Sequence, residues 1–359
     1  MGDMSADAVT YLPASLVRAA AAHPARELPW CDEVDGTMVM ADLSGFTNLS
    51  ERLGKLGDEG AERLTGTINS FFERMLDTAC GYGGDTLTFG GDAILLLFDG
   101  EDHASRAVTA GLAMLKQTGR AAAIDAGDGK VKIGMSVGAH SGTFLLAGAG
   151  LADERAHLFV LGRGAETTAL AESAAERGQM AVSAATKKLL PGGSRLGRAG
   201  EFWRVDELTN GRARLIAPGC ERPASAGPPG ADESGRQLAP FLPPYARMAT
   251  VEGSERVTLT PEHRRVSIVF INILGLNELI DEQGSDAAVD QLQAYATMVA
   301  RLSTRHHGFV VSTDIATRGS KLIVTFGAPV AHEYAAANAA RFALDLCAEL
   351  RASGLDVQH

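Results

Sequence analysis

The sequence predicts an α+β protein built from two related units, each with the element order βαββαβ. Its 359 residues leave room for two domains of ordinary size. Three stretches recur at almost one offset, which indicates an internal duplication. They are YLPASLVRAAA at Tyr11 and FLPPYARMATV at Phe241, VMADLSGFTNL at Val39 and VFINILGLNEL at Val269, and GGDAILLLF and RGSKLIVTF, which end at Phe98 and Phe326. The offsets are 230, 230 and 228 residues, so we expect two copies of one unit.

A stretch rich in Pro, Gly and Ala separates the two copies. It runs over residues 218–244, has little periodic apolar pattern and is typical of a linker. We therefore expect four segments along the chain. They are a leader at 1–34, the first unit at 35–218, the linker at 219–262, and a second unit at 263–359 that is incomplete at its C-terminal end.

Apolar patterns predict the elements of the first unit in order. A short, continuous apolar run indicates a buried strand, and apolar residues at helical spacing indicate a helix. The predicted elements are a strand at 37–41, a helix that includes 64–76, a hairpin at 85–98 with its turn at Gly90 and Gly91, a helix at 104–116, and a strand at 131–139. The stretch VGAHSGTFLLAG at 137–148 suggests a further hairpin.

Charge and cysteine spacing narrow the class of protein. The net charge is −11, with 33 Lys and Arg against 44 Asp and Glu, so the sequence offers little to attract nucleic acid. No apolar run reaches the 18 residues of a membrane span, and no membrane partner is expected. The four cysteines are too far apart for a CxxC metal clip, and a reduced compartment is the simplest setting. We expect a cytoplasmic protein.

Two aspartates follow predicted strand ends and are the first candidates for chemistry. Asp42 ends the strand at 37–41, and Asp92 lies at the tip of the hairpin. In a βαββαβ sheet these points are neighbours, and two adjacent carboxylates repel each other unless a cation lies between them. Oxygen ligands with open positions suit Mg²⁺ or Mn²⁺. Alternatively, Asp42 has only a structural role, in an ordinary turn at the end of a strand.

The turn after Asp42 has the composition of a phosphate-binding loop. Ser44, Gly45, Phe46 and Thr47 lie in a tight turn whose backbone N–H groups can converge, and a helix is expected to begin near 48–50. The acid and the turn together predict a site for a metal-bound nucleoside triphosphate.

At this point the residues resemble a known family. The stretches at 39–53 and 89–98 are similar to the signature of class III nucleotidyl cyclases, and the tandem arrangement resembles the soluble, bicarbonate-responsive adenylyl cyclases. The resemblance implies two ferredoxin-like cyclase homology domains that pair within the chain, the second truncated. It also implies conversion of ATP, or less favoured GTP, to the 3′,5′-cyclic nucleotide and pyrophosphate with two Mg²⁺ or Mn²⁺ ions. The implied metal ligands are Asp42, the backbone carbonyl of Leu43, and Asp92.

The second copy departs from this pattern. It has Asn272 in place of Asp42 and Ser320 in place of Asp92, which fits a complementary half without metal. In the family the complementary half supplies an Asn and an Arg, four and eight residues after a Gly. The first unit has Glu166 and Leu170 there, and the sequence ends before the corresponding part of the second unit. We therefore expect this chain to be weak or inactive alone, since loss of such an Arg is costly for phosphoryl transfer.

The residues that would select the base are not decisive. In the second copy the base-reading strand offers Ser312, Thr313 and Asp314, and the first unit has Thr88 and Arg163 at the related positions. The latter belong to a degenerate pseudo-site, where relatives bind an activator. ATP is favoured only by the tandem arrangement.

Two rival interpretations remain open. The motif GGDAI at 90–94 suggests a GGDEF-type diguanylate cyclase, but Ala93 and Ile94 stand where that module carries acids. The other rival is a non-catalytic regulatory pseudocyclase, or a module that binds nucleotide and pairs its domains. The missing half of the second unit favours it, and the intact Asp42 and Asp92 argue against it.

Overall fold

The first unit carries the predicted order βαββαβ, followed by an extension. The computed structural model describes residues 11–121, 123–209, 237–243, 264–316 and 319–355. The first elements are α1 (Ala14–Ala22), β1 (Trp30–Ser44), α2 (Phe46–Gly54), α3 (Asp58–Gly81), β2 (Asp85–Gly90), β3 (Ala93–Asp99) and α4 (His103–Arg120). They are followed by β4 (Ile124–Asp125), β5 (Lys130–Val131), β6 (Gly134–Gly150), β7 (Ala156–Leu161), α5 (Arg163–Ser173), β8 (Met180–Val182), α6 (Ala184–Leu189), β9 (Arg195–Ala199) and β10 (Phe202–Glu207).

The second unit repeats the order of six of these elements, namely β1, α2, α3, β2, β3 and α4. It contains β11 (Ser267–Ile273), α7 (Leu276–Gln283), α8 (Ser285–Arg305), β12 (Gly308–Ile315), β13 (Ser320–Phe326) and α9 (Ala335–Ser353). A fourth core strand is absent from the described part of this unit. The prediction of an α+β fold made of two related units is confirmed.

The three strands of the second sheet have the same order as the first three strands of the first sheet, which supports the repeat. In the first unit the order is β2-β3-β1-β6-β8-β10-β9, with β7 paired to β6. In the second unit it is β12-β13-β11. Asp42 lies opposite Ala93 in the first sheet, and Asn272 lies opposite Lys321 in the second, so the two sheets also share a register.

Local sequence explains why the main elements form where they do. Helix α3 begins with Asp58 and Glu59, whose charges favour the positive end of the helix dipole. The β2–β3 hairpin turns through Gly91, which has a positive φ of 72° that favours glycine. Strand β3 is buried over all but its last residue, which fits the apolar run Ala93–Phe98.

Helices α3 and α4 cover one face of the first sheet. The buried residues there come from β1, β3, β6 and both helices. They include Val39, Ala41, Phe71, Met75, Leu96, Phe98, Val108 and Met114. This core fixes β1 and β3 as neighbours, and so fixes where Asp42 and Asp92 lie.

A second core contains residues of both units. Leu145 and Phe159, from β6 and β7, belong to the same buried cluster as Leu292, Tyr295 and Phe326 of the second unit. Burial raises the pKa of the Tyr295 hydroxyl well above its ordinary range. The two units therefore bury apolar surface against each other.

The leader and part of the linker pack together on the first unit. The backbone N–H groups of Ala14 and Ser15 donate to the Asp85 carboxylate at 2.7 Å each, which anchors α1 at the start of β2. Residues 239–241 form a single 3₁₀ turn, and Phe241 packs in a cluster with Leu16 of α1. The expected linker thus contains an ordered piece.

Some local expectations were wrong. Strand β1 begins at Trp30, so it includes the last residues of the expected leader. Residues 137–148 do not form a hairpin, because β6 runs without a turn from Gly134 to Gly150 and pairs with β1 along its length. Helix α2 begins at Phe46, earlier than the expected 48–50.

None of the described helices is both long and apolar enough to cross a membrane. Cys31 and Cys347 carry free thiols. Cys80 is disulfide-bonded, which a reduced compartment did not lead us to expect.

Candidate functional site

Asp42 and Asp92 are brought together by the pairing of β1 with β3. Asp42 lies opposite Ala93, the residue after Asp92. The backbone N–H of Leu43 donates a hydrogen bond of 3.2 Å to the carbonyl of Asp92. The structure therefore places both predicted acids at one end of two neighbouring central strands.

The surroundings of the Asp42 carboxylate disfavour its charged form. The pKa of Asp42 is raised from its ordinary 3.8 to about 6. Burial has the largest effect, and the charge of Asp92 has the second largest. Glu172 and Asp314 raise it further. A divalent cation would reverse this effect, so the pair fits a hard metal ion.

Glu172 is a third acid beside this pair, and the sequence did not single it out. The hydroxyl of Ser136 donates to Glu172 Oε1 at 2.6 Å, and Ser136 lies opposite Asp42 in the β1–β6 ladder. Burial raises the pKa of Glu172, and the charge of Asp92 adds to this. The position of Glu172 beside Asp42 depends on how α5 packs against β6, where a Cβ at Gly138 would lie 2.0 Å from the Glu172 backbone nitrogen.

Asp314 reaches the same region from the second unit. A Cβ atom added to Gly90 would lie 2.7 Å from each carboxylate oxygen of Asp314. Gly90 is therefore a close-approach position, where glycine lets a carboxylate of one unit lie against the hairpin of the other. Burial raises the pKa of Asp314, partly offset by Lys321.

The turn after Asp42 is open to a ligand. Gly45 has a φ of 89° and precedes α2 directly, so the free N–H groups of the first helical turn lie next to the acids. The Ser44 hydroxyl is buried and has no hydrogen-bond partner among the described residues. Thr47 and Gly91 are exposed. These features fit the phosphates of a nucleotide.

The described residues contain no group of three or more His, Cys, Asp or Glu side chains arranged to hold a metal. A site with two carboxylates can still fit, because a metal that binds substrate phosphates keeps positions for their oxygens. Asp42, Asp92 and the carbonyl of Leu43 would be the protein ligands.

The equivalent positions in the second unit lack this chemistry. Asn272 and Ser320 replace the two aspartates, as the sequence indicated. Ser320 is buried, and the amide-for-acid exchange at Asn272 removes a charge. The second unit therefore has no metal pair of its own at this place.

The strands expected to read the base meet at the boundary of the two units. The hydroxyl of Thr88 donates to the carbonyl of Thr313 at 2.9 Å, and the Thr313 hydroxyl donates to the carbonyl of Leu158 at 2.7 Å. By ladder register, Ser312 of β12 corresponds to Thr88 of β2, since they lie opposite Ile323 and Leu95. Neither side chain distinguishes adenine from guanine.

On α5, the positions where the family carries Asn and Arg hold other residues. Glu166 accepts a hydrogen bond from the backbone N–H of Gly319 in the second unit, at 2.9 Å. Leu170 is 45% exposed. Arg163 does not face a base but forms an ion pair with Asp281 at 2.5 Å.

Comparison with known proteins gives one family. The profile of the family described as "Adenylate and Guanylate cyclase catalytic domain" matches residues 31–206 and 259–357. Among curated proteins, adenylate cyclase type 10 of Homo sapiens is 36% identical over 78 residues, which are 21% of this chain and 5% of that protein. The same enzyme of Oryctolagus cuniculus is 29% identical over 163 residues, which are 43% of this chain and 10% of that protein. The chain thus spans a tenth or less of the length of these two relatives.

Solved structures with a similar fold include two cyclases. The adenylyl cyclase CyaB from P. aeruginosa is 25% identical with a TM-score of 0.42, over 51% of this chain and 98% of that one. The guanylate cyclase domain of RhGC from Catenaria anguillulae, in complex with GTP, is 21% identical with a TM-score of 0.42, over 49% of this chain and 99% of that one.

Proposed function

Because this chain belongs to the family of adenylate and guanylate cyclase catalytic domains, we propose that it is the metal-binding part of a nucleotidyl cyclase. Its substrate is a nucleoside triphosphate, and its products are the 3′,5′-cyclic monophosphate and pyrophosphate. The observation that carries the proposal is the pair Asp42 and Asp92, joined by the backbone hydrogen bond between Leu43 and Asp92.

The residues of the site divide into metal ligands and phosphate-binding residues. Asp42, Asp92 and the carbonyl of Leu43 would hold two Mg²⁺ or Mn²⁺ ions, which would lower the pKa of the ribose hydroxyl and neutralise charge on the leaving pyrophosphate. The turn Ser44–Thr47 binds the phosphates through its backbone N–H groups and the Ser44 hydroxyl, which otherwise lacks a partner.

ATP is the favoured substrate. The curated relatives are named adenylate cyclases, and those of Oryctolagus cuniculus and Mus musculus match 43% and 42% of this chain. The residues at the unit boundary do not oppose this choice, since Ser312 and Thr88 carry hydroxyls that can donate to or accept from either base.

The two units pair within one chain, and the second unit faces the metal half. Support comes from the shared core around Phe159 and Tyr295 and from the contact of Asp314 with Gly90. The first unit cannot supply the Asn and Arg of the family, because Glu166 and Leu170 stand at these positions. We therefore expect low or no turnover from this chain alone.

The test measures product and binding together. The purified chain is incubated with Mn²⁺ and either ATP or GTP, and cyclic nucleotide is quantified beside Asp42→Asn and the exposed control Asp77→Asn. Nucleotide binding is followed by the rise in melting temperature. The free energy of stabilisation behind this rise is RT ln(1 + [L]/Kd). We expect a Mn²⁺-dependent shift with ATP that is lost in Asp42→Asn and kept in Asp77→Asn.

The outcomes separate the candidate functions. Product that depends on Asp42 supports the cyclase. Metal-dependent binding without product favours the regulatory pseudocyclase, for which the missing Asn and Arg argue. No product and no metal-dependent binding would exclude both.

A further inference from the structure

Helix α5 brings a third carboxylate to the end of β1 that carries Asp42. Glu172 lies in the last turn of α5 and is half-buried. The hydroxyl of Ser136 donates to Glu172 Oε1 at 2.6 Å, and Ser136 lies directly opposite Asp42 in the antiparallel β1–β6 pair. Residues opposite each other in such a pair have Cα atoms about 4.5 to 5.5 Å apart and side chains on the same face. The Ser136 bond therefore holds the Glu172 carboxylate beside Asp42.

The alternation of β1 shows that α5 covers the face to which Asp42 points. Met38 belongs to one buried cluster with Ala165 and Ala169 of α5. Alternate residues of a strand point to the same face, so Asp42 lies on the face of Met38. Ala165, Ala169 and Glu172 are spaced by four and three residues and form one stripe of the helix. The helix thus places small apolar residues over the middle of the strand and an acid over its end.

The backbone of α5 is fixed where Glu172 begins. Gly138 lies two residues after Ser136 on β6, and a Cβ added to it would lie 2.4 Å from the Cα of Glu172. Only glycine at this position lets the helix approach so closely. Ser136 then holds the side chain of Glu172, and Gly138 allows its backbone to lie against the strand. The position of this acid is therefore set by the packing of α5 on the sheet.

The charge of Glu172 is not explained by the contact it makes. Among the described residues its partner is the Ser136 hydroxyl, and it has no salt bridge. A purely structural link between α5 and β6 would not need a charge, because the side-chain oxygen of Gln accepts the same hydrogen bond. An ionised carboxylate close to Asp42 and Asp92 adds repulsion, whereas a divalent cation at that pair would be attracted by all three charges.

We propose that Glu172, held by Ser136, supplies a third negative charge to the metal site of Asp42 and Asp92 and strengthens the binding of a divalent cation there. The inference rests on the proposed function, since it takes the two aspartates as the metal ligands. Glu172 is not a third ligand, because the described residues contain no group of three such side chains arranged to hold a metal. It is a positioning residue that acts through its charge on the bound cation.

The test separates the charge of Glu172 from its hydrogen bond. Glu172→Gln removes the charge and keeps an acceptor for Ser136, whereas Ser136→Ala removes the bond and keeps the charge. The matched control is Glu73→Gln, an exposed position on α3, which covers the other face of the sheet. Binding of Mn²⁺ without nucleotide is measured by electron paramagnetic resonance at pH 8, well above the pKa of about 6 of Asp42. The melting temperature is measured on the metal-free proteins.

We expect Glu172→Gln to raise the Kd for Mn²⁺ about tenfold, as the loss of one nearby charge would. Its metal-free melting temperature should equal or exceed that of the wild type, because repulsion among the acids is relieved. Ser136→Ala should lower the melting temperature and weaken Mn²⁺ binding less than Glu172→Gln does. Glu73→Gln should change neither quantity. Weaker metal binding without a loss of stability is the result that a merely structural residue would not give.

Two results would overturn the proposal. One is a Kd for Mn²⁺ in Glu172→Gln that stays within about twofold of the wild type, and the other is a loss of affinity that comes with a lower metal-free melting temperature. Glu172→Ala should show the same loss of affinity, and it replaces Glu172→Gln if that variant does not fold.

The test also distinguishes this inference from the proposed function. A wild type that binds no Mn²⁺ would refute the metal site and the role of Glu172 together. Cyclic product that depends on Asp42, with unaltered Mn²⁺ binding in Glu172→Gln, would refute the role of Glu172 alone. Absence of product with the expected loss of Mn²⁺ affinity would leave the role of Glu172 standing.

Discussion

The N–H of Leu43 donates to the carbonyl of Asp92 across 3.2 Å, and this bond joins the two acidic ends of neighbouring strands. It is a backbone contact, so it holds the acids together whatever their charge. The carboxylates must then be stabilised by something else, because repulsion and burial act against them.

The stability of the protein should depend on pH through Asp42. Burial and Asp92 raise the pKa of Asp42 from 3.8 to about 6, so the folded state holds a proton that the unfolded state has lost in that range. The contribution of Asp42 should therefore become less favourable as pH rises from 4 to 6, and the difference in stability between the wild type and Asp42→Asn isolates it. In metal-free buffer at pH 7, Asp42→Asn should be more stable by roughly 1 to 2 kcal/mol, after allowance for solvent screening. Urea unfolding at pH 4 and pH 7 measures this, and equal stability of the two proteins at pH 7 would contradict it.

A bound divalent metal ion should offset the destabilisation that the charged Asp42 and Asp92 carboxylates cause. Saturating Mn²⁺ should raise the melting temperature of the wild type and not that of Asp92→Asn, because one carboxylate is then missing. Asp77→Asn, a change on an exposed part of α3, should behave as the wild type. Calorimetry with and without Mn²⁺ is the measurement, and a shift that persists in Asp92→Asn would place the metal elsewhere.

Acid should weaken the fold through His157. This imidazole is buried, its Nε2 has no hydrogen-bond partner among the described residues, and burial lowers its pKa from 6.5 to about 3. The unfolded state therefore binds the proton first, and below pH 6.5 this group costs about 1.4 kcal/mol per pH unit. His157→Met should flatten the stability curve between pH 6.5 and pH 5. Unfolding curves that fall equally steeply in both proteins would show that another group is responsible.

The effect of Gly90→Ala on the free energy of unfolding should depend on Asp314, because the two residues are in contact. A Cβ at Gly90 would lie 2.7 Å from the Asp314 oxygens, so Gly90→Ala should cost about 1 to 3 kcal/mol. In the Asp314→Ala background the clash is gone, and Gly90→Ala should be neutral or slightly stabilising because the unfolded chain is restricted. A double-mutant cycle by chemical denaturation gives the coupling, and additive effects would mean that the two residues do not touch.

The shared core should make the two units unfold together. Phe159 of the first unit is 1% exposed and packs with residues of the second, so Phe159→Ala should cost about 3 to 5 kcal/mol and keep one transition. Leu344 is 71% exposed, and Leu344→Ala should change stability by less than about 0.5 kcal/mol. Calorimetry with two separated transitions in the wild type would argue against a common core.

The sequence was sufficient for the parts of the site that depend on local pattern. Asp42 and Asp92 could be placed together because a short apolar strand and a Gly-Gly hairpin define neighbouring strands. The first residue of α2 could not be predicted from the sequence, because Gly45 adopts a left-handed conformation that lets the helix begin at Phe46. Residues 137–148 suggested a hairpin, but they lie within a continuous strand in which Gly142 is opposite Gly36.

The approach of Glu172 and Asp314 was beyond sequence pattern. Glu172 reaches Asp42 only because α5 packs over β6, where a Cβ at Gly138 would lie 2.0 Å from the Glu172 backbone nitrogen. Asp314 depends on how one unit lies against the other. Both relationships follow from tertiary packing, which strand and helix periodicity does not determine.

The common core has a consequence for how this chain could be divided. A cut between the units would separate them in sequence but would leave Phe159 and Leu145 buried against the second half. The two halves of a nicked protein should therefore stay associated and co-purify. A gene fragment that encoded the first half alone would produce a protein with an exposed apolar face, prone to self-association in the cell.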